Sequence, residues 1–159
     1  MNSVETISLR PATAADAKLI FEWRNDPVIV RLGSSQREVT WTEHEEWFSQ
    51  SITSGKRRIF IVQNDGVPIG QVRFDLLESS ECVISAYLLT EFTGRGWGVE
   101  AMRSGCEMIF EIWPIQSVSA CVRAENKAVQ SALAKVGFEE IASKAVPGHK
   151  AFQLMREKL

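Results

Sequence analysis

The hydrophobic and polar positions of the chain follow first a strand period and then a helix period. Residues 7–10, Ile-Ser-Leu-Arg, are apolar at every second position and predict a strand that ends at Pro11. Two segments with apolar residues three and four positions apart follow, and each predicts an amphipathic helix. The first helix stops at Asp26-Pro27, because proline disfavours helical geometry in the residue before it, and the second ends near Gly55.

Both predicted helices begin at a threonine with an acidic residue three positions later. Thr13 with Asp16, and Thr42 with Glu45, have the spacing of a capping box. In this motif the two side chains satisfy free backbone N–H groups of the first helical turn, so the sequence predicts helix starts at these threonines.

The remaining two thirds of the chain alternate between strand and helix signals. Asn64-Asp65-Gly66 is a tight hairpin turn between two β-type segments, and Gly137 is placed to cap a helix C-terminus. The predicted elements are strands over 58–63, 67–77 and 81–89, a helix over 99–113, a strand over 118–122, a helix over 126–136, and strands over 138–143 and 151–155.

The order β-α-α-β-β-β-α-β-α-β-β predicts an α+β fold. Antiparallel hairpins precede a single β-α-β crossover, so we expect a mixed, mostly antiparallel sheet of about seven strands with about four helices. The length of 159 residues suits one domain, 1–159, and no repeat or linker divides it.

The composition excludes several classes of function. A formal net charge of −2 gives no general basis for binding nucleic acid, and no apolar run is long enough to predict a membrane span. The N-terminus lacks the cationic start and apolar run of a signal peptide. Three widely spaced cysteines and only two histidines predict neither a disulfide framework nor a metal site. We therefore expect a cytoplasmic protein without a metal.

Residues 93–98, Thr-Gly-Arg-Gly-Trp-Gly, place three glycines at alternate positions near the start of a predicted helix. Free N–H groups at a helix N-terminus form a site for phosphate, and glycine lets a ligand approach the backbone closely. Gly96, Gly98 and Ala101 also fit the weaker form of a dinucleotide-binding fingerprint, but that motif belongs to sheets with several β-α-β units. A glycine-rich turn without a ligand is the other alternative.

A second segment of the sequence helps to interpret the glycine-rich segment. Residues 123–138, Arg-Ala-Glu-Asn-Lys-Ala-Val-Gln-Ser-Ala-Leu-Ala-Lys-Val-Gly-Phe, follow them after one helix and one strand. Together the two segments resemble the paired signatures of the GNAT superfamily of N-acetyltransferases, whose element order is also the one predicted above. The resemblance implies a GNAT-like fold with acetyl-CoA as co-substrate, its pyrophosphate at the glycine loop and its pantetheine arm between the strands over 81–89 and 118–122.

The family pattern also assigns residues to acetyl-CoA. Carried over position by position, it implies that the cofactor is bound by Leu88, Gly94, Arg95, Gly96, Trp97, Gly98 and Asn126. A bulge near Tyr87-Leu88 is expected to free a backbone N–H that polarises the thioester carbonyl. Asn126 is expected to hydrogen-bond the pantetheine, with a helix N-cap as the alternative or additional role.

Two positions depart from the family pattern. Thr93 stands where relatives have glutamine or arginine, so Arg95 and the backbone amides are left to bind the pyrophosphate. Leu133 stands where many relatives have a tyrosine that protonates the departing thiolate, and leucine cannot donate a proton. Tyr87 is the only tyrosine and is therefore the candidate acid, with a half-buried strand aromatic as the alternative.

The N-terminal third resembles the acetyltransferases of the pseudaminic-acid pathway, which acetylate a nucleotide-linked amino sugar. The matching residues are Trp23-Arg24-Asn25, Val30-Arg31 and Glu43-His44. The resemblance implies that the acceptor is bound by Trp23, Arg24, Asn25, Arg31 and Trp47, and that His44, with Glu43 behind it, takes a proton from the sugar ammonium. The alternatives are core packing for the tryptophans and a surface position for His44.

Other functions share this scaffold. One alternative is a RimJ/RimL-like protein N-terminal acetyltransferase or a polyamine acetyltransferase. Val129 stands where RimJ/RimL-like relatives have serine, and arginines interrupt the carboxylates that a polyamine needs. The alternative of a different class is a non-catalytic acyl-CoA-binding module. We expect a small-molecule amine as the partner, with a homodimer as one candidate assembly.

Overall fold

The computed structural model describes residues 6–33, 35–78 and 81–159. The α-helices in these ranges are α1 (Ala17–Arg24), α2 (Pro27–Leu32), α3 (Trp41–Thr53), α4 (Trp97–Ile112) and α5 (Lys127–Val136). The strands are β1 (Ile7–Pro11), β2 (Arg57–Asn64), β3 (Val67–Leu76), β4 (Cys82–Leu88), β5 (Ser117–Arg123), β6 (Glu139–Glu140) and β7 (His149–Met155). Every helix within the described ranges is too short or too polar to cross a lipid bilayer.

The strands form one seven-stranded sheet in the order β1-β2-β3-β4-β5-β7-β6. All neighbours are antiparallel except β4 and β5. The hairpin turn is as predicted, with positive φ angles of 49° at Asp65 and 77° at Gly66. The predicted α+β class with a mixed, mostly antiparallel sheet is confirmed.

The parallel pair β4–β5 opens along its length. Its residues pair only at Cys82 with Val118 and at Val83 with Ser119, although β4 continues to Leu88 and β5 to Arg123. Backbone groups beyond these pairs have no strand between them, so a gap widens toward the C-terminal ends of both strands.

Helices cover both faces of the sheet. Phe60 and Val62 of β2 pack in the core on the side of α4, whereas Ile59 and Ile61 pack with α1 and α3 on the opposite side. Successive strand residues point to opposite faces, and here both faces are buried. This two-sided burial explains why β2 reads as a continuous apolar run.

Helix α2 was missing from the sequence-based prediction. Pro27 ends α1, as expected, but it also begins α2 as its first residue. The Asp26 carboxylate accepts hydrogen bonds from the N–H groups of Val28 at 2.9 Å and Ile29 at 3.4 Å. Proline is tolerated at this position because its missing N–H has no helical partner to lose.

Several predicted boundaries were wrong: α1 begins only at Ala17, four residues after Thr13, and α4 and β7 each begin two residues early. Helix α3 begins two residues early, because Thr40 rather than Thr42 is its N-cap and accepts from the N–H of Glu43 at 3.2 Å. The strand predicted over 138–143 is reduced to Glu139–Glu140. Short solvent-exposed pairing at a sheet edge leaves no periodic pattern in the sequence to mark its end.

Candidate active site

A cavity of about 870 Å³ occupies the gap between β4 and β5 and extends toward the N-terminal helices. Its walls come from the start of α4, from α5, from α1 to α3 and from the separated ends of the two strands. The sequence-predicted residues that line it are Arg24, Trp47, Tyr87, Leu88, Gly94, Gly96, Gly98 and Asn126.

The glycine loop keeps one wall of this cavity free of side chains. Gly94 and Gly96 have φ angles of 79° and 81°, and a Cβ added at either would meet no atom within 4 Å. Gly96 is the N-cap of α4, so the first N–H groups of this 16-residue helix lack intrahelical partners. The space and the donors fit a phosphate group at the positive end of the helix dipole.

The side chains of Arg95 and Trp97 lie outside the cavity lining. The Trp97 ring is 5% exposed and belongs to the core. The exposed Arg95 guanidinium lies 4.9 Å from the centroid of that ring. Trp97 can therefore contribute to an anion site only through its backbone, and Arg95 only from the rim.

The bulge predicted near Tyr87-Leu88 is wrong, because the pairing of β4 with β3 continues without a register shift to Leu88. The N–H of Leu89 donates to the carbonyl of Ile69 at 2.9 Å, so these residues form a hydrogen-bonded pair. Such pairs alternate along an antiparallel ladder, which directs the N–H of Leu88 away from β3 and toward the gap. Regular pairing thus exposes the backbone donor that the bulge was expected to supply.

Helix α5 forms the opposite wall of the gap. The Oδ1 of Asn126 accepts from the N–H of Val129 at 3.4 Å and caps the helix, while the residue also lines the cavity. Its capping role leaves the amide N–H groups as donors toward a ligand. Leu133 is 1% exposed and packs in the core, so this wall presents a hydrocarbon where many relatives have an acid.

Tyr87 lies on the face of the sheet that α1 and α3 cover. Its hydroxyl donates to Oε1 of Gln71, the residue directly opposite on β3, at 3.3 Å. The edge of its ring meets Trp23, with the two ring centroids 6.2 Å apart. Burial raises the pKa of Tyr87 well above its ordinary value, although the charges of Arg73 and Arg24 oppose this shift. The phenol therefore stays protonated and can donate.

Arg24 and Trp47 meet on the same side of the cavity. The guanidinium carbon of Arg24 lies 4.4 Å from the centroid of the Trp47 ring, and Arg73 approaches the same ring to 5.5 Å. Burial, and then the charge of Arg73, lower the pKa of Arg24. A half-buried guanidinium on an aromatic face favours binding of an anion.

His44, which was predicted to take a proton from the acceptor, is 0% exposed and lies outside the cavity lining, so its side chain is not placed to contact an acceptor there. Its Nδ1 lies 3.0 Å from Nη1 of Arg24 and its Nε2 lies 2.7 Å from the carbonyl oxygen of Ala17. Glu43 also lies outside the lining, exposed and ion-paired with Arg37 at 2.9 Å. The hydrogen bond from Arg37 lowers the pKa of the Glu43 carboxyl, which makes it a weaker base.

Three residues predicted to bind the acceptor also lie away from the cavity lining. Trp23 is 5% exposed and packs in the core between α1, α3 and β2. The amide of Asn25 donates to the carbonyl of Val39 at 2.9 Å and accepts from its N–H at 2.8 Å, so it joins two backbone segments. Arg31 is exposed on the last turn of α2.

Most of the cationic residues that line the cavity were not predicted from the sequence. Among the described residues that line it, five are cationic and none is an aspartate, glutamate or histidine. The cationic residues are Arg24, Arg37, Arg73, Arg123 and Lys135. They come from different elements, so no local motif brings them together. In a chain with a net charge of −2, the described charged residues that line the cavity are thus all cationic, although Arg37, Arg73 and Arg123 also pair with carboxylates.

Comparison with known proteins identifies the family. The sequence matches the family described as the acetyltransferase (GNAT) domain over residues 6–139. Acetyltransferase PseH of Campylobacter jejuni subsp. jejuni serotype O:2 is 25% identical over 111 residues, which cover 70% of this chain and 69% of that protein.

Solved structures of acetyltransferases share the fold. The complex of AAC(6')-Ib with paromomycin and acetyl-CoA has a TM-score of 0.82 at 19% identity, over 97% of this chain and 96% of that chain. Spermidine N-acetyltransferase from Vibrio cholerae, in complex with CoA and spermine, has a TM-score of 0.83 at 18% identity over 96% of each chain. The chain therefore belongs to the acetyltransferase (GNAT) family.

Proposed function

We propose that this GNAT-type, acetyl-CoA-dependent N-acetyltransferase acetylates the primary amine of a nucleotide-linked amino sugar. One observation carries the proposal: the cavity is lined by five cations and by no carboxylate among the described residues. Acetyl-CoA accounts for the anion site at the glycine loop. The cations beside Trp47 and Tyr87 lie on the other face of the sheet and are left for the acceptor.

Arg24 is the centre of the proposed acceptor site. Arg73 shares Asp75 with Arg57, and Arg37 pairs with Glu43, but Arg24 has no carboxylate within ion-pair distance among the described residues. An uncompensated guanidinium presents a planar fork of donors that matches a diphosphate. The face of Trp47 beside it offers a stacking surface for a base or a sugar ring.

The same charges determine how the amine reacts. Only a neutral amine attacks a thioester, and cations around the cavity favour the neutral form over the ammonium. Because no carboxylate or imidazole is among the described lining residues, the amine loses its proton to water and not to a side chain. Tyr87 is the phenol that supplies a proton to the departing thiolate, and the N–H of Leu88 polarises the carbonyl.

The charge of the cavity separates this proposal from its alternatives. A polyamine or an aminoglycoside is itself polycationic, and the guanidinium groups of Arg24 and Arg73 beside Trp47 would repel it. The 25% identity to acetyltransferase PseH over 111 residues supports the proposal alongside the resemblance of the N-terminal third. We also propose a cytoplasmic location and a single domain, and keep the homodimer as a hypothesis.

Thiol release tests the proposal directly. Acetyl-CoA is incubated with the enzyme and with UDP- and dTDP-linked amino sugars, spermidine, kanamycin or short peptides, and free coenzyme A thiol is measured. We expect turnover with a nucleotide sugar and none with spermidine or kanamycin. Turnover confined to a polyamine or peptide contradicts the acceptor class. Acetyl-CoA binding without turnover of any amine supports the binding-module alternative.

A further inference from the structure

Lys135 and Arg103 are two cations on neighbouring helices, away from the Arg24–Trp47 pair of the proposed acceptor site. Lys135, near the end of α5, lines the cavity. Nη2 of Arg103, on α4, donates to the carbonyl oxygen of Lys135 at 3.1 Å. The hydrogen bond fixes both residues beside the same turn of α5. Among the described residues neither cation has a carboxylate within 4.0 Å, and this includes Glu100 and Glu107 on the same stretch of α4.

One face of α5 leads along the cavity to this pair. Ala128, Ser131 and Ala132 line the cavity together with Lys135, and their spacing of three or four residues places them on one side of the helix. Their small side chains leave room along the helix, and Lys135 is the first long side chain on this face. A ligand that lies along α5 therefore ends at a cation.

The pair is also within reach of the glycine loop. Arg103 lies two turns, or about 10 Å, along α4 from Gly96. The two cations are thus on the same side of the molecule as the glycine loop, whose backbone N–H groups are expected to bind the pyrophosphate.

We propose that Lys135 and Arg103 form a subsite for the 3′-phosphate of coenzyme A. Coenzyme A carries this phosphate monoester on its ribose, a few bonds from the pyrophosphate. The glycine loop supplies backbone donors for the pyrophosphate, whereas a dianionic monoester favours cationic side chains. The subsite selects coenzyme A over its dephosphorylated form. It depends on the established co-substrate and is independent of the amine acceptor.

Calorimetric titration with two ligands tests this subsite. Coenzyme A and 3′-dephospho-coenzyme A are titrated into the wild type, Lys135→Met, the double variant Arg103→Met/Lys135→Met, and Lys127→Met. Methionine keeps much of the aliphatic length and removes the charge. Lys127 is the matched control, because it is exposed on the same helix and does not line the cavity.

We expect the wild type to bind coenzyme A about tenfold more tightly than the dephosphorylated form. Lys135→Met should reduce this ratio and the double variant should abolish it, without weakening the dephosphorylated ligand. Lys127→Met should keep the wild-type ratio. A wild type that does not distinguish the ligands overturns the proposal. So does a folded double variant that keeps the ratio, or one that weakens both ligands equally.

Discussion

Arg24 donates a hydrogen bond from Nη1 to Nδ1 of His44, with the two nitrogens 3.0 Å apart. Arginine can only donate, so Nδ1 must carry the lone pair. Nε2 then carries the proton and donates to the carbonyl of Ala17 at 2.7 Å. The Arg24 donor requires the neutral form of His44, and the charge of Arg24 is directed at the cavity without an ion-paired carboxylate among the described residues.

Replacing Arg24 tests whether this charge binds the acceptor. Arg24→Gln should raise the KM for a nucleotide-linked amino sugar about tenfold or more, because a charge-assisted contact with phosphate is lost. The affinity for acetyl-CoA should not change, since the glycine loop lies elsewhere in the cavity. Steady-state kinetics with each substrate varied in turn gives both values.

Arg31→Gln is the control for this variant. Arg31 has the same charge but is exposed on α2 and outside the cavity lining, so the KM for the nucleotide sugar should stay within about twofold of wild type. Equal effects of the two variants would show that overall charge, and not a specific contact, governs acceptor binding.

The buried His44 makes the stability of the protein depend on pH. Desolvation, and next the charge of Arg24, lower its pKa against the opposing hydrogen bond to Ala17. An unfolded histidine titrates near 6.5, so the unfolded state binds more protons below that value. The contribution of His44 is fully present above about pH 6.5 and should fall by at most about 1.4 kcal/mol per pH unit below it.

Denaturant unfolding at pH 7.5, 6.5 and 5.5 measures this effect. His44→Gln is the comparison, because glutamine can donate to Ala17 and accept from Arg24 but does not titrate. The free energy of unfolding should decrease less with falling pH in His44→Gln than in the wild type. Parallel pH profiles for the two proteins would mean that His44 is not held neutral in the folded state.

Tyr87→Phe tests the phenol as the proton donor. The variant keeps the ring that contacts Trp23 and removes only the hydroxyl that reaches Gln71, so the fold should be retained. We expect kcat to fall about a hundredfold, the lower end of the range for a general acid, with little change in the acetyl-CoA KM. An unchanged kcat would assign the proton donor to solvent.

Local signals made several turns and helix ends predictable, including those at the glycine loop and at the start of α5. A glycine at a helix start, an asparagine cap and a hairpin turn are each specified within a few residues, and Gly96, Asn126 and Asp65-Gly66 take up these roles in the structure. The acceptor side depends on contacts between distant segments. His44 and Arg24 are twenty residues apart, and only the packing of α1 on α3 shows that the histidine is buried.

The charge of the cavity could not be derived from sequence for the same reason. Arg37 precedes α3, whereas Arg73 lies on β3. At least one complete helix separates each of them from Arg24 along the chain. In the sequence the region 43–46 instead draws attention to its carboxylates, three of four residues being Glu43, Glu45 and Glu46. The helical period of α3 places these side chains at the surface, so they do not line the cavity.

Gly98→Asp tests the anion site without testing the fold. The φ angle of Gly98 is not positive, and a Cβ there would meet only Cδ1 of Leu88 at 3.9 Å. An aspartate in the first turn of α4 also suits the helix dipole, so stability should change by less than about 1 kcal/mol. The carboxylate faces the space expected for the pyrophosphate and should weaken acetyl-CoA binding at least a hundredfold.

Gly55→Asp is the matched control, because Gly55 is exposed and a Cβ there meets no atom within 4 Å. It introduces the same charge on a loop outside the cavity and should leave acetyl-CoA affinity unchanged. Calorimetry gives the affinities and thermal unfolding confirms that both variants are folded. Wild-type affinity in a folded Gly98→Asp variant would place the pyrophosphate away from the start of α4, because phosphate and carboxylate cannot share the same N–H groups.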